Sequence, residues 1–177
     1  MFLEKLVEII ANAWERIAPF VIVHPYEKAV ILRLGVYHRT VEPGLRWKIP
    51  YAEESIEVNT VLTTMRLPPQ SITTKDEVAV VVAAIVKYRI TDPKPYVTEV
   101  WDQADVLADV TMGAIVRAVR AIEVTTLFSD PPESAVARSV RAQVKRFGFE
   151  VEAVTFFDLA RAKSLRLVSA HGKDLAN

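Results

Sequence analysis

The chain has 177 residues, with 22 Lys and Arg against 22 Asp and Glu and a formal net charge of +0. That balance lacks the basic surplus with which a nucleic-acid binder meets phosphates, so no nucleic-acid partner is expected. Hydrophobic residues make up 51% and charged ones 25%, enough for one large or two small domains, and zero cysteines exclude disulfides, thiolate catalysis and Cys-ligated zinc.

Placed at about 100° per residue, residues 2–18 predict a two-sided helix. Phe2, Leu3, Leu6, Ile10, Trp14 and Ile17 fall in one arc, Glu4, Lys5, Glu8, Asn12, Glu15 and Arg16 fill the rest, and Pro19 stops the helix. Glu4, Lys5 and Glu8 interrupt the apolar run that a cleavable leader or a spanning helix of about 20 residues requires, so neither is expected. The arc has two readings. It docks on the protein's own sheet or a neighbouring subunit, or it lies in a membrane interface with Phe2 and Trp14 as wedge and anchor. Phe20, Val21, Ile22 and Val23 follow directly and extend the apolar segment, which makes them candidate membrane or partner contacts together with the arc.

From Pro25 the pattern changes to short strands. Residues 29–34 predict a strand closed by Gly35, and Glu42, Pro43 and Gly44 predict a turn. Residues 45–49, 55–58 and 61–67 predict further strands, the last ended by Pro68 and Pro69. Val78 to Ile90 is an unbroken run with Val78, Val80, Val82, Ala84, Val86, Tyr88 and Ile90 on one face. Its other face holds Ala79, Val81, Ala83 and Ile85, with only Lys87 and Arg89 charged. A strand apolar on both faces belongs inside a sheet, so this one is expected to be central and to emerge to water near Lys87. Together these segments predict one compact antiparallel sheet.

After Pro93 the composition turns helical. Trp101, Ala104, Ala108, Thr111, Met112, Ile115, Val119 and Ile122 keep three-four spacing, with acidic residues early and Arg117 and Arg120 late, as the helix dipole favours. Asp130, Pro131, Pro132 and Glu133 read as an N-cap, a first-turn proline and a capping-box glutamate. Val136, Val140, Val144 and Phe147 line the next helix, with Gly148 as its stop. Residues 149–157 predict a strand, and Asp158 is placed to cap a last helix from Leu159 to about Leu175, exposing Arg161, Lys163, Arg166 and Lys173. A basic face of that kind either simply meets water or makes a lateral contact with Asp102, Asp105 and Asp109 of the next subunit. The element order is that of an α+β fold.

Five segments in register carry a resemblance: AVILRLG (29–35), PGLRWKIP (43–50), TTKDEVAVVVAAIVKYRITDP (73–93), the helix centred on Ile115 to Ile122, and GFEVEAVTFFDL (148–159). In this order they resemble the SPFH, or band 7, domain of stomatins, prohibitins, flotillins and HflK/C proteins. The residues themselves predict the amphipathic N-terminal helix (1–20), and the resemblance implies a β-rich first subdomain that lies on or dips into the bilayer (21–92). An α/β second subdomain (93–160) and the start of a C-terminal helix (161–177) would follow. It further implies a homo-oligomeric ring on the cytoplasmic side of a membrane, held peripherally or monotopically. Such a ring organises lipid or restrains a membrane protease or channel, without cofactor or catalysis. Two departures stand out. An amphipathic helix takes the place of the family's hydrophobic hairpin or spanning helix, and the chain ends at Asn177, before the family's coiled coil. A flat or short ring is therefore expected rather than a dome. The alternative is a soluble structural or interaction protein, a ring subunit of a larger assembly that includes viral ones, using its first helix for subunit or partner contact.

Chemistry is sparse. His24, His38 and His171 are far apart, no HExxH, GxSxG or phosphate-cradling glycine loop is present, and glycines number five. Glu53 and Glu54 read as a solvated turn rather than an acid and base tuned apart by burial. No catalytic, metal or cofactor residue is expected.

Overall fold

A computed structural model describes residues 19–162. The helix expected over residues 2–18, with the candidate contacts Phe2, Leu3, Leu6, Ile10, Trp14 and Ile17, lies outside the described residues, as do Lys163 and Arg166. The described chain is α+β, as expected.

Its strands form three sheets. β1 (Phe20–Val23) pairs antiparallel with β4 (Gly44–Trp47), and β2 (Glu27–Arg33) lies between β3 (Val36–Val41) and β5 (Glu53–Asn59). The long strand β8 (Ala79–Ile90) is central as expected, with β6 (Thr63–Arg66) and β7 (Gln70–Thr73) along one edge and β9 (Phe149–Arg161) along the other. The single sheet expected for the first half is therefore corrected to three. Both edges of β8 need partners for their N–H and C=O groups. Pro68 and Pro69 split the first edge between two strands of 4 residues each, and only the 13 residues of β9 run the length of the second. This pair joins residues on either side of the boundary expected at 92/93.

The two faces of β8 differ in cover. Val80, Val82, Ala84, Val86 and Ile90 are buried beneath α2 (Gln103–Arg120) and α4 (Glu133–Val144). Leu107, Ala114, Ile115 and Val119 of α2 and Val136, Val140 and Val144 of α4 meet them. Each such valine, leucine or isoleucine contributes about 1.5–3 kcal/mol by leaving water. On the other face Ala79, Val81 and Ile85 are half-buried, and Lys87 and Arg89 reach water where expected.

Four local expectations are corrected. Trp101 is not on the apolar stripe of α2 but 99% exposed ahead of it, because the Asp102 carboxylate accepts the Asp105 N–H at 3.3 Å and starts the helix at Gln103. Two short helices, α1 (Pro93–Thr98) and α3 (Val124–Ser129), flank α2 where no separate helix is expected. Pro132, not Asp130, is the N-cap of α4, and the Glu133 carboxylate accepts the Phe156 N–H of β9 at 2.7 Å instead of closing a capping box. The last helix does not begin at Leu159, because β9 continues to Arg161: Leu159 falls opposite Val82 and Arg161 opposite Val80, where β8 still offers a partner. Gly148 stops the preceding 3-10 turn in the left-handed conformation expected, at φ +83°.

Candidate functional site

The exposed apolar surface gathers at the β1 and β4 end. Alternation along two short strands puts Phe20 opposite Trp47 and Ile22 opposite Leu45 on one face, at 41%, 72%, 60% and 64% exposure. On the opposite face Val23 is buried and Val21 half-buried, while Arg46, the partner of Val21, is exposed. Of the four residues singled out between 20 and 23, then, Phe20 and Ile22 offer area to a partner and Val23 fills the core. Leu45 and Trp47 were missed as contacts, although alternation in the turn-flanked segment Leu45-Arg46-Trp47 carried the signal.

A second apolar pair stands beside this face. Leu34, at the β2 to β3 turn, donates its N–H to Ala52 O at 2.8 Å, which brings it next to Tyr51. Both residues are 81% exposed and both have left-handed backbones, at φ +50° and +63°. A bulky L-residue loses roughly 1–2 kcal/mol in that region, so two neighbouring ones persist only where the surroundings impose them. They flank a cleft of about 580 Å³ whose lining includes Lys48, Glu53 and Glu54.

Glu53 supplies the constraint. Its carboxylate is fully enclosed, which corrects the expectation of a solvated acidic turn: alternation in β5 sends Glu53 inward and Glu54 out. Arg33 donates to Oε1 through Nε at 3.0 Å and Nη2 at 2.6 Å, while Arg39 Nη2 and the Ile49 N–H donate to Oε2 at 3.3 and 3.0 Å. Burial alone would raise the pKa of this carboxyl. The Arg33 hydrogen bond, the Ile49 N–H and the charge of Arg39 outweigh it and hold the group below the ordinary carboxylate range. Arg39 also donates to Trp47 O at 2.7 Å, so one buried anion ties together β2, β3 and the segment that carries Trp47, Ile49 and Tyr51.

The residues expected at a subunit contact are distributed differently. Asp102, Asp105 and Asp109 are exposed near the start of α2, with Asp102 engaged as its cap. Arg161 ends β9 with its guanidinium 5.7 Å from the centre of the Phe128 ring. His24 donates from Nδ1 to the Glu27 carboxylate at 3.1 Å and stacks on Tyr26, and His38 lies 3.9 Å from Glu53. No helix among the described residues is long and apolar enough to cross a membrane.

Comparison with known proteins adds an independent line. The profile of the SPFH domain / Band 7 family matches residues 21–165. An uncharacterised protein of Archaeoglobus fulgidus is 31% identical over 151 residues, 84% of this chain and 61% of that protein. The HflK protein of Vibrio parahaemolyticus is 38% identical over 114 residues, 64% of this chain and 28% of its own length. A stomatin homolog of Pyrococcus horikoshii is 30% identical over 140 residues, 78% of this chain and 53% of its own. The chain thus spans 61% or less of each of these relatives. With the ordered segments, the long β8 and β9 pair and a profile match over most of its length, the chain belongs to the SPFH, or Band 7, family.

Proposed function

We propose that the protein is a non-enzymatic scaffold held peripherally on the cytoplasmic side of a membrane, where copies line up side by side in a ring. The observation that carries this reading is the exposed face of Phe20, Ile22, Leu45 and Trp47, four large apolar side chains on one short sheet. Tryptophan and aliphatic side chains grouped in this way suit the boundary between headgroups and acyl chains. The amphipathic sequence of residues 2–18 enters the fold at Pro19, whose carbonyl accepts the Lys48 N–H at 2.9 Å, directly beside Trp47. The residue that follows that sequence therefore lies beside the exposed apolar face. Shallow contacts of this size hold each subunit weakly, and assembly makes them add through effective concentration. Asp102, Asp105 and Asp109 against Arg161, Lys163 and Arg166 remain the proposed lateral contact. As with other members of the family, a membrane protease or channel is the proposed cargo of such a ring.

Flotation with phosphatidylcholine and phosphatidylglycerol vesicles tests the docking. Wild type is expected to float, Trp47→Ser with Ile22→Ser to float poorly, and Ile10→Glu to lose a separate share. Equal flotation of all three would remove the membrane role. A discrete oligomer in detergent-free buffer, with no flotation, would assign the apolar face to a second copy or to residues 2–18 instead.

A further inference from the structure

We propose that this end of the fold selects anionic lipid, the guanidinium groups of Arg33, Arg39 and Arg46 meeting headgroup phosphates while Trp47 and its apolar neighbours lie beneath them. The inference rests on the membrane-docking reading and names the lipid class it takes.

The chain as a whole is neutral, so a local surplus of one sign is a matter of placement. Two guanidinium groups share the single carboxylate of Glu53, which cancels one positive charge and leaves the other. The carboxylate is enclosed, whereas the arginine side chains are 41% and 39% exposed, so the uncancelled charge faces outward. Arg46 pairs with Val21, so its exposed side chain leaves the sheet on the side away from Leu45 and Trp47, and among the described residues its guanidinium donates to the carbonyls of Glu42 and Pro43, not to a carboxylate. The Glu42 carboxylate is engaged elsewhere, with Lys28 Nζ at 2.8 Å. Arg39 donates to the Trp47 carbonyl, which fixes a cation level with the backbone of the apolar face. Glu54 lines the adjoining cleft as the carboxylate there besides the enclosed Glu53.

An interface with acidic headgroups asks for this layering, cations at the depth of the phosphates and apolar side chains one layer deeper. Leu34 and Tyr51, exposed on the constrained loops that line the adjoining cleft, add further apolar area at this end. Residues 2–18 do not provide the selectivity, since they carry three carboxylates, Glu4, Glu8 and Glu15, against the two cations Lys5 and Arg16.

The test is co-sedimentation of the full chain with vesicles of phosphatidylcholine alone and of equimolar phosphatidylcholine and phosphatidylglycerol, at low and high salt. Partitioning onto the anionic vesicles is expected to be stronger and to weaken with salt. Arg46→Gln is expected to lower it about five-fold, the equivalent of roughly 1 kcal/mol for the one cation removed. The variant should not change partitioning onto phosphatidylcholine alone, and circular dichroism checks that it folds. Equal, salt-independent partitioning onto the two vesicle types would overturn the inference and leave membrane docking standing. No partitioning onto either would overturn both.

Discussion

Arg33 and Glu53 face each other across β2 and β5, and the arginine delivers both of its hydrogen bonds, at 3.0 and 2.6 Å, to one oxygen of the carboxylate. The second oxygen is thereby left for Arg39 and the Ile49 N–H. A buried anion satisfied from two strands and a loop holds the loops from which Leu34 and Tyr51 project. The most enclosed charge in the β-rich half thus underlies its most exposed apolar side chains.

Replacing Glu53 by Gln keeps the shape but turns an NH2 group toward donors that expect an acceptor. Hydrogen bonds to a charged group contribute about 1.5–3 kcal/mol, so a loss of about 2 kcal/mol in urea unfolding is expected. Amide exchange at residues 48–53 should rise more than in β8. An unchanged midpoint with unchanged exchange would mean that Glu53 does not hold the loop.

The same carboxylate makes stability depend on pH. Its folded-state pKa lies below the ordinary value of 4.5, so the unfolded chain takes up the proton first as the medium is acidified. The stabilisation is fully present above that ordinary value and is lost as pH falls through the lower folded value. Wild type is therefore expected to lose stability on acidification below about pH 4.5 more steeply than Glu53→Gln, as read by thermal melts across that window. Parallel curves would remove Glu53 as the titrating group.

How much of this was legible in the sequence depended on whether a residue's environment is local. β8 could be read because alternation and β-branching persist over its whole length. The stop at Gly148 needs only a left-handed residue. β3, Val-Tyr-His-Arg-Thr-Val, hides its strand behind polar residues on an open face. The end of β9 was misread because Leu159, Ala160 and Arg161 also suit a helix, and the deciding fact is a free stretch of β8 far away in sequence. Glu53 and Glu54 are chemically alike, and only the inward turn of one of them beside Arg33 and Arg39 tells them apart. At the candidate site, Phe20 and Ile22 were found as part of an apolar run. Their strand partners Leu45 and Trp47 depend on a pairing that periodicity alone does not supply.

Asp76 makes a similar long-range attachment on the other half. Its Oδ1 accepts the Thr74 hydroxyl at 2.6 Å and the Val124 N–H at 3.1 Å, so the turn before β8 caps the start of α3. The neighbouring Lys75 N–H donates to Ile122 O at 3.0 Å. Asp76→Ala is expected to lower stability in urea unfolding, since the Val124 N–H loses its acceptor, with faster amide exchange at residues 122–127. Exchange unchanged there would show that α3 is held by packing of Val124 and Leu127 alone.

Gly148 and Gly35 share a left-handed backbone, at φ +83° and +81°, but differ in surroundings. A Cβ on Gly35 would meet nothing within 4 Å, whereas one on Gly148 would lie 2.1 Å from Asp92 O. That closeness follows from pairing, since the Thr91 and Asp92 N–H groups both donate to Gly148 O and bring the end of β8 against the turn before β9. Alanine at Gly35 should therefore show only the backbone cost, roughly 1–2 kcal/mol. Alanine at Gly148 adds a clash with backbone that cannot rotate away, and the loss should exceed about 3 kcal/mol as β8 and β9 separate at that end. Paired unfolding curves decide it: equal losses at the two sites would mean that the turn gives way, and that the close approach of Asp92 to Gly148 does not fix the register of the longest strand pair.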